Sequence, residues 1–138
     1  MLHRDKNKPI RVAVIHQDHD YFEKLERELA RYHLIAAQQI SNQEMVAQQA
    51  RENKFDIALV AENVGNLTGM EIIKQIVSVN PLVNCALVSP LYPDEFHDAT
   101  EGFGLFMQIP TDPDHSTTQT IIDKISKITG ITITKRES

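Results

Sequence analysis

Cysteine is nearly missing from this chain: Cys85 is the single one in 138 residues. A disulfide framework within the chain is thereby excluded, as is any CxxC metal or redox motif. Basic charge is in deficit, with 14 Lys plus Arg against 19 Asp plus Glu and a formal charge of -5. Nucleic acid and anionic membrane both select basic surfaces, so neither is expected as the main partner. Long apolar runs are absent too. The longest uncharged stretch, Gln75 to Pro93, is interrupted by Asn80, Pro81, Asn84 and Pro90, which makes it a poor membrane span. Met1 to Lys8 is polar, so no signal peptide is expected. Fixed-period repeats and low-complexity tracts are lacking as well. The resulting expectation is a cytoplasmic protein of one domain.

What is present is an ordinary globular composition, 41% apolar and 24% charged, in a chain long enough for one core. Short apolar runs alternate with helical patterns. Arg11 to Ile15 reads as a strand, and the turn after it offers Asp18 as a helix cap. Phe22, Leu25, Leu29 and Tyr32 then recur at helical spacing. A second strand starts at Leu34, and Ser41 with Glu44 reads as a capping box. Phe55 to Ala61 is apolar on both faces, the pattern of a strand covered on both sides. Glu62 to Thr68 reads as a polar loop and Gly69 to Val79 as a helix. Leu82 to Ser89 is a fourth strand, a short helix begins near Asp94, and Gly104 to Ile109 is a fifth strand. A last helix is expected to open at Asp112-Pro113, to bury Ile121, Ile122, Ile125 and Ile128, and to end at Gly130. Five strands alternating with five helices predict a three-layer α/β fold around one parallel sheet. The domain is expected over residues 9–129, with a flexible lead over 1–8 and a C-terminal tail over 130–138.

Ligands of such sheets bind beyond the carboxyl ends of the strands. Those ends carry His16-Gln17, Ala61, Ser89 and Ile109-Pro110. The segment from Asp56 through Ala61 to Gly69-Met-Glu-Ile-Ile, together with Phe106-Met-Gln-Ile109-Pro110, resembles the receiver domain of two-component response regulators, the CheY-like family. The resemblance covers about residues 9–129. It implies a flavodoxin-like five-stranded sheet in the order 2-1-3-4-5. Asp56 stands where the family opens its third strand, and Gly69 stands eight residues after the phosphoacceptor position.

An active receiver uses an Asp carboxylate as nucleophile, an acidic pair that holds Mg²⁺, and a hydroxyl and a Lys that grip the phosphoryl group. Here the resemblance puts His16 and Gln17 at the acidic pair, Ala61 at the phosphoacceptor and Ile109 at the Lys. Only Ser89 at the hydroxyl and Phe106 at the switch aromatic keep the family's residue type. Asp18 leaves one carboxylate without a companion at position 61. A register slipped by one residue would bring Glu62 to the strand end, but it would turn every strand side chain to the other face and spoil the match at Asp56 and Gly69. The expectation is a pseudo-receiver with no Mg²⁺ or other cofactor and no enzymatic activity.

Other features admit simpler readings. His16, Asp18, His19 and Asp20 lack the second ligand group of a metal motif and read as a polar turn. Ser89 has no GxSxG elbow. Cys85 reads as a buried thiol. The family's matching bond is usually cis, which the resemblance extends to Ile109–Pro110. Leu91, Tyr92, Phe96 and Phe106 fall on the family's usual partner face. The function expected is that of a bacterial signalling module of two-component type. It would bind a protein partner or a second copy of itself. A phosphorylatable regulator with an atypical acceptor, a small-ligand sensor at the vacated pocket, and a fragment of a larger regulator remain as alternatives.

Overall fold

The computed structural model describes residues 8–136. The expected lead, residues 1–8, lies outside them except for Lys8, as do residues 137 and 138 of the tail. Parallel pairing builds one five-stranded sheet from β1 (Ile10–Ile15), β2 (Ile35–Ile40), β3 (Ile57–Val60), β6 (Asn84–Val88) and β7 (Leu105–Ile109). Its spatial order is β2-β1-β3-β6-β7, the 2-1-3-4-5 order that the receiver resemblance implied. A hairpin of β4 (Asn63–Val64) and β5 (Leu67–Thr68) lies in the connection expected to be a plain loop. The helices are α1 (Asp20–Leu29), α2 (Gln43–Arg51), α3 (Gly69–Val79), α4 (Pro93–Thr100) and α5 (His115–Thr129).

The apolar runs explain the centre of the sheet. Every residue of β3, and every residue of β1 except Arg11, is buried. Phe22, Leu25 and Leu29 close one layer from α1, and Ile72, Ile73 and Ile76 close another from α3. Asp56 anchors the lower end of β3. Its carboxylate accepts from the Arg11 backbone amide at 2.9 Å and pairs with the Arg11 guanidinium at 2.9 Å. The Asp56 amide in turn donates to the Arg11 carbonyl at 2.8 Å. That reciprocal set locks the register of β1 against β3.

Several helix starts differ from expectation, each for a hydrogen-bonding reason. Asp18 does not cap α1. It lies in the left-handed region at φ 56°, and the His19 amide donates instead to the His16 ring. In α2 the cap is Asn42, whose Oδ1 accepts from the Glu44 amide at 2.9 Å, while Ser41 uses its carbonyl to accept from Gln17. Helix α5 opens after Asp114 rather than at Asp112-Pro113, because Asp114 and Thr117 satisfy each other's backbone amides in a capping box. Ile128, expected on the buried face, is 38% exposed. Gly130 ends α5 at φ 69°, a conformation that costs glycine little. The chain then turns back. Ile131 is buried, the His33 amide donates to the Thr134 carbonyl, and the Arg136 amide donates to the Arg31 carbonyl, both at 2.7 Å. The tail to residue 136 is therefore part of the packed fold.

Candidate functional site

Because the five strands run parallel, their carboxyl ends share one edge of the molecule. Backbone bonds continue the ladder past the strands: the Ala61 amide donates to the Ile15 carbonyl and the Ser89 amide to the Ile109 carbonyl, each at 3.0 Å. His16, Ala61, Ser89 and Ile109 are thus brought together in neighbouring rows. All four are buried, His16 and Ile109 completely.

His16 is held edge-on to Phe22 with ring centroids 5.5 Å apart. Its Nδ1 accepts from the His19 amide at 3.0 Å, so the neutral ring carries its proton on Nε2. That Nε2 is buried and has no hydrogen-bond partner among the described residues. Burial pushes the His16 pKa below the ordinary 6.5, and the neighbouring His19 pushes it further down. The two positions after it are not in the buried corner. Gln17 is exposed and reaches across to the Ser41 carbonyl at 2.8 Å, and Asp18 is exposed.

Ala61 places its carbonyl against Gly69. A Cβ at position 69 would collide with the Ala61 carbonyl oxygen and with Leu87 Cδ1. The Gly69 amide also donates to the Glu62 carbonyl at 2.7 Å. Glu62 itself is exposed, whereas Ala61 is 2% exposed. The residue at the end of β3 that faces the interior is therefore a methyl group, and the register that slips Glu62 into its place is not adopted.

Ser89 accepts from the Leu91 amide at 3.2 Å, which turns the Ser89 hydroxyl into a local cap for the β6–α4 connection. Gln108 donates to the Ser89 carbonyl at 3.1 Å and to the Leu91 carbonyl at 2.7 Å. Sequence reading passed over Gln108. Its signal was a polar residue directly before Ile109, which strand alternation turns to the opposite face. Phe106 sits where the pairing of β6 with β7 shifts: Cys85 pairs with Leu105 and Ala86 with Met107, which leaves Phe106 without a partner residue. Its ring is half-buried against the core. The Ile109–Pro110 peptide is trans, unlike the bond the resemblance implied. Among the remaining candidates, Phe96 belongs to the core, Leu91 is 38% exposed and Tyr92 is 77% exposed.

Charged chemistry is sparse at this edge. Among the described residues, no group of three His, Cys, Asp or Glu side chains is placed to hold a metal ion. Cys85 is buried in β6, and burial pushes its thiol up to about 12. Among the described residues, no helix is long and apolar enough to cross a membrane.

Solved structures share this fold. The chain superposes on a CheY-like response regulator receiver domain protein from Methanospirillum hungatei JF-1 with a TM-score of 0.73 at 12% identity, covering 89% of this chain and 95% of that one. It has the fold of a response regulator receiver domain. The response regulator domain of Thermotoga maritima CheB is similar, with a TM-score of 0.72 at 16% identity over 91% of this chain and 99% of that one. So is a response regulator from Burkholderia pseudomallei, solved with a phosphorylated aspartic acid, a calcium ion and citrate, with a TM-score of 0.67 at 17% identity over 87% of this chain and 68% of that one. No family model and no curated protein matches the sequence. The receiver fold places the residue that follows β3 at the centre of the carboxyl edge, and in this chain that residue is Ala61.

Proposed function

We propose that this chain is a receiver-like signalling module that is not phosphorylated, does no chemistry of its own, and works by binding a protein. The observation that carries this reading is the side chain of Ala61. A methyl group has no lone pair to attack phosphorus, and the adjoining rows supply neutral His16 and aliphatic Ile109 rather than a metal-binding acid and a lysine. Phosphoryl transfer rests almost wholly on positioning and charge neutralisation, so losing nucleophile, metal site and lysine together removes the reaction. The reading extends to a two-component setting, a bacterial cytoplasm and no cofactor requirement.

The test is incubation with acetyl phosphate or phosphoramidate and Mg²⁺, followed by intact mass. No phosphoryl gain is expected; a stoichiometric gain would overturn the reading. Millimolar Mg²⁺ alone is expected to leave the melting temperature unchanged. An active receiver is different, because crowded carboxylates there are relieved when the ion binds.

A further inference from the structure

A half-open apolar cleft lies between the β4–β5 hairpin and α4, beside the carboxyl edge. Its volume is about 230 Å³, and its walls include Met70, Leu87, Ser89, Phe96 and Ala99, with Glu62 at the rim. Leu91 lines the same cleft, and exposed Tyr92 follows it in the chain. The charge around it is one-sided. Lys74 is the single Lys or Arg between Lys54 and Lys124, whereas Glu62, Glu71, Asp94, Glu95, Asp98 and Glu101 all fall in that stretch and all are exposed. Glu95 stands one helical turn before Ala99, so it flanks the cleft side of α4, and Asp98 is next to it. Among the described residues, the ion pair formed is Arg11–Asp56, and none of these six carboxylates is paired with a Lys or Arg of those residues. Lys74 is directed over the Phe103 ring, 5.6 Å from its centroid.

An apolar slot with Glu62 in its wall and Glu95 and Asp98 on the adjoining helix selects its occupant by charge and by shape. We infer that the cleft docks a basic segment of a partner protein, in which a large apolar side chain enters between Met70, Leu87 and Phe96 while flanking Lys or Arg residues meet Glu62, Glu95 and Asp98. Anionic ligands and anionic membranes are repelled by the same carboxylates. A volume of about 230 Å³ is smaller than the roughly 300–1,000 Å³ of pockets that enclose free small molecules, and suits a single anchoring side chain. Basic flanks also relieve the mutual repulsion of the rim, which favours association over the free state. The inference rests on the reading of the chain as a protein-binding module and names the chemistry of its partner.

The experiment uses the full chain and three fluorescein-labelled peptides. One is an amphipathic helix with leucine on one face and lysine on the other, one has glutamate in place of lysine, and one has lysine retained with leucine replaced by serine. Anisotropy is expected to show binding of the first, and affinity about tenfold or more weaker for each of the others. Ala99→Arg fills the cleft mouth and reverses its charge at an exposed helical position; it is expected to keep its far-UV spectrum and to weaken the first peptide by about tenfold. Amide shift changes are expected at Met70, Leu87 to Leu91 and Phe96 to Glu101. Equal binding of the glutamate or serine peptide would overturn the inference, as would shifts that map to α1 and α5, or an Ala99→Arg variant that binds unchanged. Self-association abolished by Ala99→Arg would overturn the choice of occupant. A phosphoryl gain in the mass experiment would strike the underlying reading, whereas failure of the peptides alone strikes only the cleft.

Discussion

His16 shows how one side chain can serve the backbone and forgo chemistry. Its Nδ1 is committed to the His19 amide and its Nε2–H is buried with no partner among the described residues, so charging the ring is disfavoured. Folding lowers its pKa, which means the unfolded chain takes up a proton before the folded one does. The contribution to stability is therefore complete above pH 6.5 and is lost as pH falls through the lowered folded value. His16→Asn keeps an acceptor for the His19 amide and removes the titration. Urea midpoints measured from pH 8 downwards are expected to fall more steeply below 6.5 in the native chain than in the variant. Gly69 acts through space alone. Gly69→Ala drives a methyl into the Ala61 carbonyl and Leu87, and is expected to cost about 1–3 kcal/mol in denaturant unfolding.

Among the elements, α3 joins the site most directly to the core. Thr68 accepts from the Glu71 amide at 3.1 Å, and Glu71 reaches back to the Thr68 amide, so two of the backbone donors at the start of α3 are satisfied. Thr68→Ala is expected to cost about 1 kcal/mol in thermal or urea unfolding. Amide exchange is expected to rise first at Gly69 to Ile72, where the helix loses its cap. Helix α4 is set by different forces. Its eight residues include the buried Phe96 and Thr100 but have no side-chain cap, and Pro93 opens it with φ already restricted. Its fixed point is Phe96 in the core, and its outer face is free to carry charge.

At the scale of the whole molecule, the chain after Gly130 fastens α5 to the end of its neighbour α1. Ile131 is buried, Ser126 Oγ donates to the Ile131 carbonyl at 2.6 Å, and residues 134–136 bond to Arg31 and His33 after α1. Gln119 adds a bond from α5 to the Tyr32 hydroxyl at 2.9 Å. A chain ending at Gly130 is expected to lose about 2–3 kcal/mol, read as a lowered urea midpoint, because one buried aliphatic side chain and several backbone bonds go together.

The five-stranded α/β architecture, with an alanine directly after its third strand, was legible from the residues. Both features rest on local information: a two-sided apolar run such as Phe55 to Ala61 already states a covered strand, and no folding can give alanine a carboxylate. The helix caps at Asp18, Ser41 and Asp112 were read one or two residues off, since several polar residues compete at each turn and geometry alone selects between them. The hairpin at Asn63 to Thr68, the role of Gln108, the return of the tail onto Arg31 and the acid-rimmed cleft beside α4 were not legible. Apart from the hairpin, whose pairs lie within six residues, each of these joins groups far apart along the chain, and their spacing carries no period. Distance and direction between such groups exist only after the sheet has closed and the helices have packed on it.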